Sequence, residues 1–237
     1  MTRPLVIVAI FGLAIAAASF SLAASIGTAE LWPTWGRWSA EASCSGGLET
    51  LSRTLAWDGD GSRLDIRVPA TIHLEPEAAR TITAEGPAAA VGHLTMQDGR
   101  LAFDDCRWDG PPARLTIRIS GPPIQRIAVH GVSRLEIEGI DQPEIEITVT
   151  GSGAVTGKGK AGAATITVTG SGRAEFGELA VERLKAKVTG SGRATFAPRL
   201  EADLTVTGSG GVRLATRPEH LTTHVTGSGR IREAQAN

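Results

Sequence analysis

The feature that most narrows the fold of this chain is a five-residue phrase, Val-Thr-Gly-Ser-Gly, that returns at nearly even spacing. Gly-Ser-Gly begins at Gly151, Gly170, Gly190, Gly208 and Gly227. A degenerate copy, VHGVS, has its glycine at Gly131, one further period back. A period near 19 is too short for a propeller blade or a helical-pair repeat and suits one coil of a β-solenoid.

Aligning the copies on their glycines gives columns with period two. Val149, Val168, Val188, Val206 and Val225 precede the corner, with Ile147, Ile166, Ala186, Leu204 and Thr223 two positions earlier. Ile145, Ala164, Leu184, Ala202 and Leu221 stand two positions earlier again. Alternation puts these columns on the inside, and Glu146, Thr165, Lys185, Asp203 and Thr222 outside. After the glycines the alternation resumes, with Val155, Ala174, Ala194, Val212 and Ile231 inward, then Phe176, Phe196 and Leu214. In a parallel solenoid each side chain sits above its counterpart one coil away, at ~4.8 Å, and β-branched residues nest well in such stacks. Composition agrees: 29 glycines, 4% aromatic residues and no tyrosine leave burial to Val, Ile, Leu and Ala in thin layers.

Upstream, from about residue 56 to 140, short alternating runs such as RLDIRV, ATIHL, TITA, HLTM, RLAF and RLTIRI are separated by the turn-formers DGDGS, EGP, QDG, WDGPP and SGPP. These read as strands and turns. Residues 28–55 read as a linker interrupted by Pro, Gly and Ser, with order expected near Ala56. Residues 1–27 carry no charge after Arg3, which suits either a membrane anchor of roughly 20 residues or a signal peptide cleaved after Ser21-Leu22-Ala23. Trp32, Trp35 and Trp38 favour the anchor, since tryptophan prefers the membrane interface. Both readings export the chain, so Cys44 and Cys106 form a candidate disulfide; their spacing does not suit a metal site.

The tandem V-T-G-S-G-x-A motifs, preceded by WDGDGSRLDIRVPATIHLEPEAARTITAEGP and an export segment, resemble the bacterial family labelled putative auto-transporter adhesin, head GIN domain. The resemblance covers roughly residues 56–237. It implies an all-β, right-handed parallel β-helix in the bacterial envelope; with the N-terminal reading above, the chain is expected to be inner-membrane anchored and facing the periplasm, or periplasmic or secreted if the N-terminal segment is cleaved. The family brings no catalytic residues.

Local motifs add little chemistry. Gly157–Gly162, GKGKAG, has dinucleotide-loop spacing, but a strand follows where a helix is needed. Asp58–Ser62 starts like a calcium loop whose twelfth position falls on Pro69, so a turn is the better reading. Five serines in equivalent corners cannot all be one nucleophile and instead form a ladder of hydroxyls. His220 and His224 lie about 13 Å apart along a strand, too far to converge. Asp104 and Asp105 point to opposite faces. Arg173 and Arg193 should stack, with Arg230, Lys158 and Lys160 nearby, as a candidate anion-binding stripe diluted by Glu175, Glu178 and Glu182.

The function expected is therefore that of a non-catalytic envelope β-helix with a structural or interaction role and no cofactor. The alternative is a binding module for acidic polysaccharide or lipid headgroups. A carbohydrate-active enzyme fits less well, because every tryptophan lies outside the repeats and Phe176 and Phe196 are assigned to the core. Expected partners are the membrane, through an uncleaved N-terminal segment, and an envelope glycan or protein. With a net charge of −1 no nucleic-acid partner is expected. The short ending RIREAQAN also leaves the last coil open to end-to-end self-association, which the polar tail would oppose.

Overall fold

The computed structural model describes residues 42–43, 49–58, 61–77, 80–104, 106–107 and 114–234, with only the backbone described at 42–43 and 106–107. The segment 1–27, most of the 28–55 stretch and Cys44 lie outside them. The described strands begin within the stretch read as linker: β1 (Ala42–Ser43) and β2 (Thr50–Leu55) precede β3 (Arg63–Ile66) and β4 (Thr71–Pro76). There follow β5 (Thr81–Pro87), a single helical turn α1 (Ala88–Gly92), β6 (Leu94–Gln97), β7 (Arg100–Phe103), β8 (Cys106–Arg107) and β9 (Thr116–Gly121). EGP does not break the chain as a turn, since β5 runs through it to Pro87.

The coils then run without interruption: β10 (Arg126–Gly131), β11 (Arg134–Gly151), β12 (Ala154–Gly170), β13 (Arg173–Gly190), β14 (Arg193–Gly208), β15 (Gly211–Leu214), β16 (His220–Gly227) and β17 (Arg230–Arg232). Each long strand leaves one Gly-Ser-Gly corner and enters the next, pairing in parallel with the coils on either side. The fold is a parallel β-solenoid. VHGVS is a true coil, since Gly131 is the register partner of Gly151 and β10 continues the ladder onto β3.

Why glycine opens each corner is visible in the backbone. Gly151, Gly170, Gly190, Gly208 and Gly227 have φ between 104° and 108°, and a Cβ on Gly190 would stand 2.7 Å from the Gly170 carbonyl oxygen. An L side chain fits neither the angle nor the space. Hydrogen bonding continues through the corner, with Ser171 N–H donating to Gly151 O at 2.9 Å and Arg173 N–H to Gly153 O at 2.9 Å.

The inward columns pack as the alternation requires. Val149, Val168, Val188 and Val206 are fully buried, each burial contributing about 1.5–3 kcal/mol. Phe176 and Phe196 stack with centroids 6.3 Å apart. Gly157 precedes them in that column because a Cβ there would lie 2.5 Å from the Phe176 ring, so GKGKAG marks ring packing inside a strand. The last coil departs from the pattern: Val225 is 43% exposed, Thr223 is exposed, and Leu221 and Ile231 are partly covered, because no described coil packs beneath them.

The other end is covered. β9 lies parallel to β4, β5 antiparallel to β9, and β2 antiparallel to β5. Beside β3 runs β7, turned back from β6 through Asp98 and Gly99, whose φ values of 49° and 74° suit a tight hairpin turn. Arg53 on β2 donates to the Gly92 carbonyl at 3.0 Å and so holds the end of α1.

Two substitutions at the same repeat position should therefore differ. Val188→Asp places a carboxylate in a sealed column and should cost roughly 3 kcal/mol or more. Val225→Asp should shift the melting temperature little, and Gly190→Ala should cost about 1–3 kcal/mol through backbone strain. Equal melting temperatures for the two valine variants would remove the inward assignment.

Candidate interaction surface

The outer faces carry the polar residues, and the structure sorts the candidate sites among them. Arg173 and Arg193 are register partners and both exposed, as the spacing predicts. Among the described residues no carboxylate lies within ion-pairing distance of either. Lys158 and Lys160 are drawn off to Glu178 at 3.6 Å and Asp141 at 3.1 Å, so the stripe narrows to the arginine pair, with Arg230 exposed in the same register column two coils beyond Arg193. The serines of the five Gly-Ser-Gly corners are all exposed. His220 and His224 are exposed on β16, with Nε2 of His224 3.4 Å from the Thr226 hydroxyl. Asp104 sits 3.0 Å from Nδ1 of His93, whereas Asp105 lies outside the described residues.

The candidate disulfide also lies outside them. β1 pairs with β8, Ala42 opposite Cys106 and Ser43 opposite Arg107, but Cys44 and the side chain of Cys106 are not among the described groups. No set of three or more His, Cys, Asp or Glu side chains that could hold a metal occurs among the described residues.

One cluster escaped the sequence reading. In β3 and just beyond it, the run Arg63-Leu64-Asp65-Ile66-Arg67 alternates, with Leu64 and Ile66 fully buried inside. Arg63, Asp65 and Arg67 share the outer side. Asp65 is nevertheless only 2% exposed. Arg67 covers it, Nε donating to Oδ1 at 3.1 Å and Nη2 to Oδ2 at 3.2 Å. Arg63 and Arg100 approach Oδ2 at 3.6 and 3.7 Å, and Nε2 of His130 lies 3.4 Å from Oδ1.

Backbone pairing builds this arrangement. Asp65 N–H donates to Gly99 O at 2.8 Å and Arg67 N–H to Leu101 O at 3.0 Å, which sets Arg100 beside Asp65. On the opposite edge Arg63 pairs with Arg126, and His130 follows along β10. The R-x-D-x-R alternation was the available signal; Arg100 and His130 arrive only through the fold. Burial pushes the Asp65 carboxyl upward, but the Arg67 hydrogen bonds and the charges of Arg67, His130 and Arg100 outweigh it and hold the group below its ordinary value.

The face beyond this cluster is laid out by register. From Ala128 the column runs through Thr148, Thr167, Lys187, Thr205 and His224. From His130 it runs through Thr150, Thr169, Thr189, Thr207 and Thr226. From Arg126 it runs through Glu146, Thr165, Lys185, Asp203 and Thr222. The result is a ribbon of hydroxyls with cations at one end and on β13, interrupted by the carboxylates of Glu146 and Asp203.

The lowered Asp65 value fixes a pH test. Its ionised form stabilises the fold fully above its unfolded value, near 3.8, and that contribution is lost as pH falls through the lower folded value. Asp65→Asn should cost roughly 1–3 kcal/mol at neutral pH. The gap in melting temperature from wild type should hold down to about pH 5 and narrow below about pH 4. A gap unchanged at about pH 2 would contradict the assignment.

Comparison with known proteins reaches the same fold. The model of the family described as putative auto-transporter adhesin, head GIN domain, matches residues 62–218, well over half of the chain. A crystal structure of a putative adhesin from Bacteroides fragilis is similar at a TM-score of 0.65 and 19% identity, covering 79% of this chain and 98% of that one. A putative lipid binding protein from Parabacteroides distasonis is similar at 0.51 and 14%, covering 80% and 98%. At these identities the likeness speaks for the fold alone. No curated protein matches the sequence.

Proposed function

The chain belongs to the putative auto-transporter adhesin, head GIN domain family, and on that premise we propose that it is a non-catalytic protein of the bacterial envelope whose solenoid is an interaction scaffold. The observation that carries this reading is the division of labour within the coil. Valine, isoleucine, leucine and phenylalanine columns fill the interior, while the outside repeats threonine and serine hydroxyls in rows. A surface repeated at ~4.8 Å suits an extended partner more than a small substrate held in a cleft.

The alternative, contact with lipid headgroups, draws support from the name of the Parabacteroides distasonis protein. Contact with acyl chains is not supported in the same way. The apolar hollow lined by Leu74, Pro76, Ile124, Ile137, Ile140 and Ile145 holds about 20 Å³, room for roughly one water.

Fractionation tests the location. The full chain should travel with the envelope and stay in the membrane after alkaline washing if the N-terminal segment is retained. Recovery as a soluble chain beginning near residue 24 would replace the anchor by a cleaved signal. Incubated with envelope polysaccharide, the protein should return the polymer at its original length, and shortened products would overturn the non-catalytic reading.

A further inference from the structure

We propose that the arginine cluster around Asp65, continued by the threonine ribbon to Lys185 and Lys187, is a binding strip for an acidic polysaccharide. The inference rests on the interaction reading above and names its partner class. It moves the binding site from the Arg173 and Arg193 pair, which the sequence suggested, to the face on the other side of the Gly-Ser-Gly corner.

Three observations converge. First, one buried carboxylate serves several cations. Asp65 is 3% exposed at its side chain, whereas the side chains of Arg63, Arg67 and Arg100 are 58%, 48% and 54% exposed. Each guanidinium carries five N–H donors, of which Asp65 occupies only a few, so most stay turned to solvent. A guanidinium already oriented by a carboxylate loses little freedom when an anion docks, and it can engage a carboxylate or sulfate through two parallel N–H bonds.

Second, there is a place for the anion. Arg126 pairs with Arg63 across the ladder, and with Ala128, Glu146 and Thr148 they line an open hollow of about 300 Å³. Ala128 is the small residue that makes the floor low, between Arg126 and His130 on the same side of its strand. Arg126 has no ion-pair partner among the described residues, although Glu146 is its register neighbour.

Third, the cations recur along the axis. Lys185 lies in the same register column as Arg126, three coils on, about 14 Å away at the parallel-strand spacing. Between them in that column stand Glu146 and Thr165, and in the two columns beside it Thr148, Thr167, Thr150 and Thr169, so the path is lined by one carboxylate beside Arg126 and by five hydroxyls that both donate and accept. A linear polymer with repeating anionic groups and many hydroxyls matches both stations and the rows between. A single phosphate would reach one station, and a bilayer surface would find no large apolar side chain on these rows to bury.

Nonspecific attraction makes the opposite forecast at one residue. Asp65→Asn raises the net positive charge of the face, so simple ion exchange would strengthen binding of a polyanion. If Asp65 orients the guanidiniums, binding weakens instead. The experiment uses the full chain in detergent with polygalacturonate and dextran sulfate as probes, neutral dextran as blank, and vesicles of phosphatidylcholine with phosphatidylglycerol as the competing surface. Arg126→Gln and the pair Arg63→Gln/Arg126→Gln should lower affinity for the acidic polymers about ten-fold or more, since charge-assisted hydrogen bonds are lost. Arg173→Gln/Arg193→Gln removes as much charge and should leave the affinity within about two-fold.

Melting curves taken at the binding pH identify a variant that has simply unfolded. Arg126→Gln breaks no ion pair of Asp65, so it keeps the test decisive even if Asp65→Asn is unstable. Equal losses for the two arginine pairs, tighter binding by folded Asp65→Asn, or preference for vesicles over the polymers would each overturn the strip. Polymer binding abolished only through Arg173 and Arg193 would overturn it while leaving the interaction reading intact. Binding to none of the polymers would overturn it too, and retention of another envelope component by the same preparation would show that the broader reading survives.

Discussion

The close approach of one coil's corner to the next is the contact on which the rest of the solenoid depends. At each Gly-Ser-Gly the chain changes direction while its amides keep donating to the coil before, as in Ser191 N–H to Gly170 O at 2.9 Å and Arg193 N–H to Gly172 O at 3.0 Å. Corners ordinarily leave backbone groups without partners, and a buried one costs free energy. Here both strand segments and the corner between them share one ladder. The second glycine of each corner matters for a different reason: a Cβ on Gly192 would meet Cγ1 of Val168 at 2.9 Å, so the small residue lets the preceding coil's valine column close.

Because the corners are locked in register, differences in coil length must be absorbed elsewhere. The coil from Gly190 to Gly208 is shorter than the one from Gly170 to Gly190, yet all three glycines stay in register. The register shifts all fall on the side away from the corner, at Ile137/Ile140, Thr156/Lys158, Phe176/Ala180 and Val181/Arg183. The face leading into the corner therefore stays a regular lattice. The opposite side takes up insertions and deletions, which is where a shorter coil and a longer one can differ without tilting their neighbours.

This explains how much of the molecule was legible in the sequence. Val-Thr-Gly-Ser-Gly gave the coil, the inward columns and the stacking of Arg173 on Arg193, because register at the corner converts spacing directly into neighbours. Val225 and Ile231 followed the pattern in sequence but not in burial, since a column seals a residue only when a coil lies on each side of it. β2, exposed along its whole length except at Leu55, has no alternating apolar signal and could be found only from its pairing with β5. The cluster at Asp65 was half legible: R-x-D-x-R puts three charges on one side, but two further cations beside the carboxylate, Arg100 and His130, are placed by a hairpin and by a coil much further along the chain.

The position of that cluster follows from the repeat itself. A carboxylate placed in a regular column invites its counterpart in the next coil, and like charges facing each other at ~4.8 Å repel. In the Asp65 column the following positions are Ala128, Thr148, Thr167, Lys187, Thr205 and His224, with no second carboxylate. A unique charged constellation fits best where the repeat is interrupted, and β3 is that place: a degenerate coil flanks it on one side and β7, from outside the repeat, on the other. The regular coils supply length and rows rich in hydroxyls. The irregular coil supplies a charged constellation at one end of the hydroxyl rows, and so would give a direction to a polymer lying along the face.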